Sequence, residues 1–300
     1  MASQTQGIVV SIKPLHALVQ GVMGTTGEAA LLMRQNASPH GYSLRPSQLR
    51  LLQEARAVFY IDDAFETFLR NALKNLPESA QATEIAHQPG MEILPLRRSS
   101  DWDDHDDAAH GHQETSAQAS ADHDHNGEDL HVWLDTGNAR KMVQIIARKL
   151  TEVYPENAQI YQSNAKILLA RIEILDQELA DILTPVKDKP YIVLHDAYQY
   201  FEHQHGLNGV GSITVEPNQP PSITDVQTIR KKLRDRNVIC VFREPQFSDR
   251  LIETVIEGSS VRIGTLDPIG ADLEQTPDFY SVLLRNLATN FAACLKGETK

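Results

Sequence analysis

At 300 residues, with 41% hydrophobic and 23% charged content, the chain has the composition of an ordinary globular protein and the length for one large domain or two of about 150 residues each. No apolar run reaches the roughly 18 residues needed to span a membrane. The net charge is −12, and residues 101–129, with eight Asp, two Glu and no Lys or Arg, carry −10 of it; without clustered Lys and Arg, nucleic acid and anionic membrane surfaces are excluded as partners.

The opening MASQTQG has neither the basic nor the apolar region of a secretory signal and leads straight into a strand-like run, so a mature chain whose signal has been removed is expected. In the first third, IVVSI (8–12), ALLM (30–33), AVFYI (57–61) and MEIL (91–94) are short apolar runs. Between them lie helix-like segments such as PLHALVQGVM and RPSQLRLLQEA. That alternation predicts βαβ units on a parallel sheet.

Residues 99–129 are of another kind: poor in apolar residues, strongly acidic, and holding five of the twelve histidines, His105, His110, His112, His123 and His125. Such a composition buries too little surface to fold, and a disordered surface loop is expected. Its histidines, set among carboxylates, are expected to collect zinc weakly.

From about 138 to 183 only helical periodicity is present. Leu168, Ile172, Leu175, Leu179 and Ile182 recur at spacings of 4, 3, 4 and 3, one apolar stripe along a long helix, which Pro185 and Pro190 then end. A second strand–helix alternation follows: YIVLH (191–195), GSITVE (211–216), VICVF (238–242) and VRIGTL (261–266). The expected architecture is therefore α/β, with two lobes, each a mostly parallel four-stranded sheet with flanking helices, joined by a long rigid helix. Its divisions are an N-terminal lobe at 7–135, a helical linking region at 136–187 and a C-terminal lobe at 188–300.

The two cysteines, Cys240 in VICVF and Cys294 near the end of a helix-like segment, are open to two readings: buried free thiols, or a disulfide tethering the chain end.

Three histidines stand out by position. His195 ends the strand-like YIVLH, His40 follows the second strand in NASPHGYSL, and His131 lies in LHVWLD. Ligands of open α/β sheets bind beyond the carboxyl ends of the strands, so two lobes facing each other would bring these loops to one cleft, with Asp267 of GTLDP placed to add a carboxylate. Three neutral imidazoles with a carboxylate or water suit zinc. His16, His87, His203 and His205 are expected to be surface or core residues with satisfied hydrogen bonds. Three histidines and a water also describe a hydrolase centre, but no HExxH or GxSxG motif supplies a general base or nucleophile. Glu244 in REPQF suits a partner-facing role, support behind the ligands, or equally an ordinary salt-bridged loop carboxylate.

The phrases ASPHGYSLRPSQ (37–48), LHVWLD (130–135), VLHDAYQYFE (193–202), CVFREPQF (240–247) and GTLDP (264–268) resemble the ZnuA family, the periplasmic zinc-binding components of bacterial ABC zinc importers, across essentially the whole chain. The resemblance implies one zinc ion in the inter-lobe cleft, held by His40, His131 and His195. It also implies a Cys240–Cys294 disulfide, a periplasmic location, and a membrane permease as partner of what is expected to be a monomer. The family's manganese-selective relatives place a carboxylate where His195 stands, and a manganese-type solute-binding protein or adhesin is the alternative reading. Some members carry a ligand Glu before the first histidine; here Pro39 occupies that position, which leaves Asp267 or water as the expected fourth ligand.

Overall fold

A computed structural model describes residues 7–33, 37–97, 102, 127–214 and 221–298. In chain order the first half forms β1 (Ile8–Val10), α1 (Lys13–Met23), β2 (Ala30–Leu31), α2 (Pro46–Gln53), β3 (Ala57–Tyr60), α3 (Arg70–Leu73), β4 (Gln81–Glu84), β5 (Leu94–Pro95) and β6 (Glu128–Asp129). Two long helices follow, α4 (Thr136–Val153) and α5 (Ala158–Leu183). The second half holds β7 (Tyr191–His195), α6 (Gln199–His205), β8 (Gly209–Thr214), α7 (Ile223–Asp235), β9 (Cys240–Arg243), α8 (Arg250–Ile256), β10 (Arg262–Thr265) and α9 (Phe279–Lys296).

Two parallel four-stranded sheets result, in the orders β2-β1-β3-β4 and β10-β9-β7-β8. Their central strands β1, β3 and β7 are buried on both faces, as parallel strands covered by helices must be, and successive side chains serve different cores. Ile8, Val10 and Phe59 face a central cluster, while Val9, Val58 and Tyr60 pack outward with α2 and α3. Likewise Tyr191, Val193 and Phe242 point inward, and Ile192, Leu194 and Val241 meet α7 and α8. The central cluster is continuous from one sheet to the other, through α1, α4, α5 and α9.

Helix α5 spans 26 residues and buries Tyr161, Ala165, Ile172, Leu175, Leu179 and Leu183 against this core. Of the predicted stripe, Leu168 and Ile182 are half-buried at its edges. Helix α4 starts at Asp135, whose carboxylate accepts the Asn138 N–H at 2.5 Å, a cap contributing about 1 kcal/mol.

Two expectations are corrected. The fourth strand of the first sheet is β4, not MEIL; β4 is an edge strand that exposes Gln81 and Ala82, so it carries no apolar signature. Only the end of MEIL enters a strand, β5, and it pairs antiparallel with β6. That pairing places Glu128 and Asp129, assigned by composition to the acidic loop, in a strand. Trp102, within the same segment, lies under Arg97, whose guanidinium stacks 3.8 Å from the ring centre. The remainder of the acidic segment lies outside the described residues.

One buried acid affects stability. Glu66 is fully buried and accepts the Ile61 N–H at 2.7 Å, and burial pushes its carboxyl from 4.5 up to about 8. A raised acid binds its proton more tightly in the folded state, so its contribution is whole below about 4.5 and declines as pH rises through about 8. The Glu66→Gln protein should therefore gain stability over the wild type between pH 5 and pH 8.5, by up to a few kcal/mol, on the scale of 1.36 kcal/mol per pH unit. Urea unfolding at the two pH values measures this; a wild-type-to-variant difference that does not change with pH would contradict it.

Candidate metal centre

Both sheets reverse their winding direction beside the centre. In the second sheet the chain leaves β7 toward β8 on one side and returns to β9 on the other, which opens a crevice at the carboxyl ends of β7 and β9. His195 is the last residue of β7, and Glu244 immediately follows β9. The first sheet reverses in the same way between β1 and β3. From that lobe, His40 arrives on the 3₁₀ turn Pro39–Gly41. Pro39 begins that turn with its φ already set and no N–H to satisfy, and Ser38 Oγ accepts the His40 N–H at 3.3 Å. His131 immediately precedes the turn Val132–Leu134, whose three side chains are all buried and fix its position.

The three imidazoles form a nearly equilateral triangle, with ring centres 5.5 to 5.6 Å apart and one nitrogen of each within 4.8 Å of the others. Two of the rings are held from behind by buried carboxylates. Asp129 Oδ1 accepts from His131 Nδ1 at 2.7 Å and from the His131 backbone N–H at 3.0 Å. Glu244 Oε1 accepts from His195 Nδ1 at 2.6 Å. Both acids are 1% exposed. A proton fixed on Nδ1 leaves Nε2 with the lone pair, the arrangement in which a carboxylate sets the tautomer and raises the basicity of a metal-binding ring. Burial, together with the adjacent His131 and His195, holds the pKa of His40 well below 6.5, so the His40 ring is neutral and able to donate its lone pair.

Aromatic side chains surround the triangle. Phe65 lies 4.9 Å from His40 and 5.2 Å from His131, Trp133 lies 5.3 Å from His131, and Phe247 lies 5.8 Å from His195. The cavity between them measures about 20 Å³, room for one ion or one water.

Asp267 is not brought into this group. Its carboxylate accepts from Gln246 Nε2 at 2.7 Å and from the backbone N–H groups of Ile269, Gly270 and Ala271 at 2.6 to 3.2 Å, shaping the loop that follows β10. That loop is tied to the first lobe: Lys13 Nζ donates to the carbonyls of Gly270 and Ala271, and Trp133 Nε1 to Pro268 at 2.8 Å. A second tie crosses near β6, where Tyr200 Oη donates to the Asp129 carbonyl at 2.6 Å and Arg97 pairs with Glu202 at 2.7 Å.

Of the other histidines, His16 bonds Gln275 and the Ala29 carbonyl, and His87 sits among carboxylates. His203 and His205 lie in α6, where burial lowers the His205 pKa. His105, His110, His112, His123 and His125 lie outside the described residues. Asp129 was not recognisable as a functional residue, because its composition assigned it to the acidic segment; the signal that could have found it is the spacing Asp-x-His. Cys240 and Cys294 form a disulfide joining β9 to α9.

A model of the family described as the periplasmic zinc-uptake complex component A, ZnuA, matches residues 8–294. The chain belongs to the ZnuA family. It is 40% identical over 314 residues to the high-affinity zinc uptake system protein ZnuA of Brucella abortus (strain 2308), covering 98% of this chain and 93% of that protein. Among solved structures it is similar to a crystal structure of ZnuA, with TM-score 0.78 and 27% identity over 96% of this chain and 98% of the other. It also resembles a zinc-bound deletion mutant of ZnuA, with TM-score 0.77 and 27% identity over 97% and 98%. The family's two-sheet plan and long helix are those described above.

Proposed function

We propose that this chain captures zinc in the periplasm and delivers it to the permease of an ABC-type zinc importer. The observation that carries the reading is the meeting of His40, His131 and His195, from three segments far apart in sequence, with one nitrogen of each within 4.8 Å of the others. Three neutral imidazoles suit zinc, whereas manganese is better served by oxygen donors. Water completes the shell, since Asp267 would have to give up four hydrogen bonds to reach the ion. The relatives named above are zinc uptake proteins, and the family description places them in the periplasm.

The size of the cleft favours capture over hydrolysis. A catalytic zinc needs an open position facing a substrate, and the space beside the three rings is small, about 20 Å³. The direct test titrates the metal-free full chain with zinc and with manganese, and then presents the loaded protein to vesicles holding the cognate permease. One tight zinc equivalent, a clear preference over manganese, and zinc uptake that needs this chain are the expected results; tight binding of manganese in preference to zinc would overturn the reading.

The carboxylates behind the rings have a measurable share. Glu244→Gln keeps the size of the side chain but cannot hold the Nδ1 proton as strongly, and support of this kind is worth about 10- to 100-fold in metal affinity. Competition with a fluorescent chelator should show a loss of that order, and an unchanged affinity would remove Glu244 from the site.

A further inference from the structure

We infer that the first lobe carries a second zinc site, formed by Asp62, Glu84 and His87. This site is separate from the cleft and goes beyond the reading above. One ligand atom from each of the three residues lies within 4.8 Å of the others. All three sit at the carboxyl edge of the first sheet: Asp62 just beyond β3, Glu84 at the end of β4, and His87 in the turn that follows. The Ile85 and Ala86 N–H groups bond the carbonyls of Tyr60 and Ile61 at 2.9 and 3.1 Å, so backbone pairing holds the two segments in register. Asp62 has a side chain 0% exposed, and its Oδ1 is occupied by the Ala64 N–H at 2.5 Å, which turns Oδ2 toward the ring.

The ring shows which nitrogen would bind metal. His87 Nδ1 lies 2.8 Å from Glu84 Oε1 and 3.3 Å from Asp62 Oδ2, while Nε2 lies 2.7 Å from Glu128 Oε2. A carboxylate on the remote nitrogen is the support that zinc-binding histidines use. With Nε2–H donated to Glu128, Nδ1 shares its own proton with Glu84 and faces Asp62, and loss of that proton would turn an Nδ1 lone pair toward both acids. Zinc there takes the place of the proton shared at Nδ1, and any proton displaced goes to solvent. One imidazole with two carboxylates is a zinc-type donor set, whereas calcium and magnesium favour all-oxygen shells.

Strand β6 supplies an independent indication. Its two residues point to opposite faces: Asp129 supports His131 in the cleft, and Glu128 supports His87 in this cluster. The same two-residue strand thus places an orienting carboxylate behind a histidine on each side. Glu84 and His87 are about 30% exposed, so an ion held here is open to solvent and bound more weakly than one in the cleft.

The test counts zinc bound by the metal-free full chain in equilibrium dialysis against zinc chloride, beside His87→Gln and Glu84→Gln. Each variant should bind one zinc fewer at saturation and keep the first, tight equivalent unchanged. Histidines of the acidic segment contribute equally to all three chains, so the difference isolates this site. Ring-nitrogen NMR of His87 should show Nδ1 losing its proton to metal while Nε2–H persists. Equal zinc counts in the wild type and both variants would overturn the proposal, as would a His87 ring unchanged at saturating zinc, the signature of an imidazolium clamped between carboxylates. Failure of the cleft reading appears separately, in the first equivalent.

Discussion

His40→Ala should lower zinc affinity by about a thousand-fold, and His131→Ala and His195→Ala by at least as much. A metal site of this kind contributes about 10–16 kcal/mol, so one of three ligands carries ~4 kcal/mol, or about three powers of ten. The three variants separate on a second axis, stability of the metal-free protein. His40 is the more exposed of the three rings, the other two being buried, and its removal should cost least. His131→Ala takes one of two donors from Asp129, which keeps the backbone N–H of residue 131. His195→Ala strips Glu244, 1% exposed, of its ring donor, and a buried carboxylate left without its partner costs several kcal/mol. The expected order of destabilisation is His195→Ala, then His131→Ala, then His40→Ala. Calorimetric zinc titration and urea unfolding measure the two axes independently. Wild-type affinity in any one of the three variants would break the constellation.

The second large effect comes from the crosslink between β9 and α9. Cys240 and Cys294 are 54 residues apart and both fully buried. Closing a loop of that length lowers the entropy of the unfolded chain by an amount worth about 4 kcal/mol. The double variant Cys240→Ala/Cys294→Ala should lose that much stability and melt about 8 °C lower, at roughly 2 °C per kcal/mol for a chain this large. Local packing adds to the dependence. Gly264 of β10 lies against the bridge, and a methyl group there would meet the Phe242 ring at 2.5 Å and Cys294 Cβ at 3.1 Å. Zinc affinity should stay within a few-fold of the wild type, because both cysteines face the core between β9 and α9, away from the triangle. Loss of zinc binding together with stability would mean that the bridge supports the cleft as well.

Much of this fold could be read from the run of residues. YIVLH and VICVF are continuous apolar stretches because β7 and β9 are covered on both faces, and a strand buried twice announces itself. Strand β4 does not: at the sheet edge, QATE exposes two of its four side chains, and the nearby apolar MEIL drew the assignment instead. Helix α5 was legible in its 3–4 spacing because one stripe meets the core while Ile160, Ile167 and Ile174 stay exposed. The histidines could be located by their places at strand ends, but that three of them share one point depends on how two sheets pack, which no local pattern encodes. Asp129 was obscured by its neighbours' charge. The same acidity that marks residues 101–129 as unlike the rest gave no sign that the last two pair with β5 and that one turns inward.

The centre divides two tasks between different atoms. In the proposed site, ligation would fall to three ring nitrogens, and charge balance to Asp129 and Glu244, one hydrogen bond further out. A dication entering a small, aromatic-walled space loses its hydration, and a shell of neutral rings alone would leave both of its charges uncompensated in a medium of low dielectric. Two buried carboxylates supply two negative charges without touching the ion. Hard cations that need oxygen in direct contact find none among the three rings, while a dication that accepts nitrogen would bring the charge of rings and carboxylates together to zero. Selectivity and electroneutrality can therefore be altered separately, the first at the rings and the second at the acids behind them.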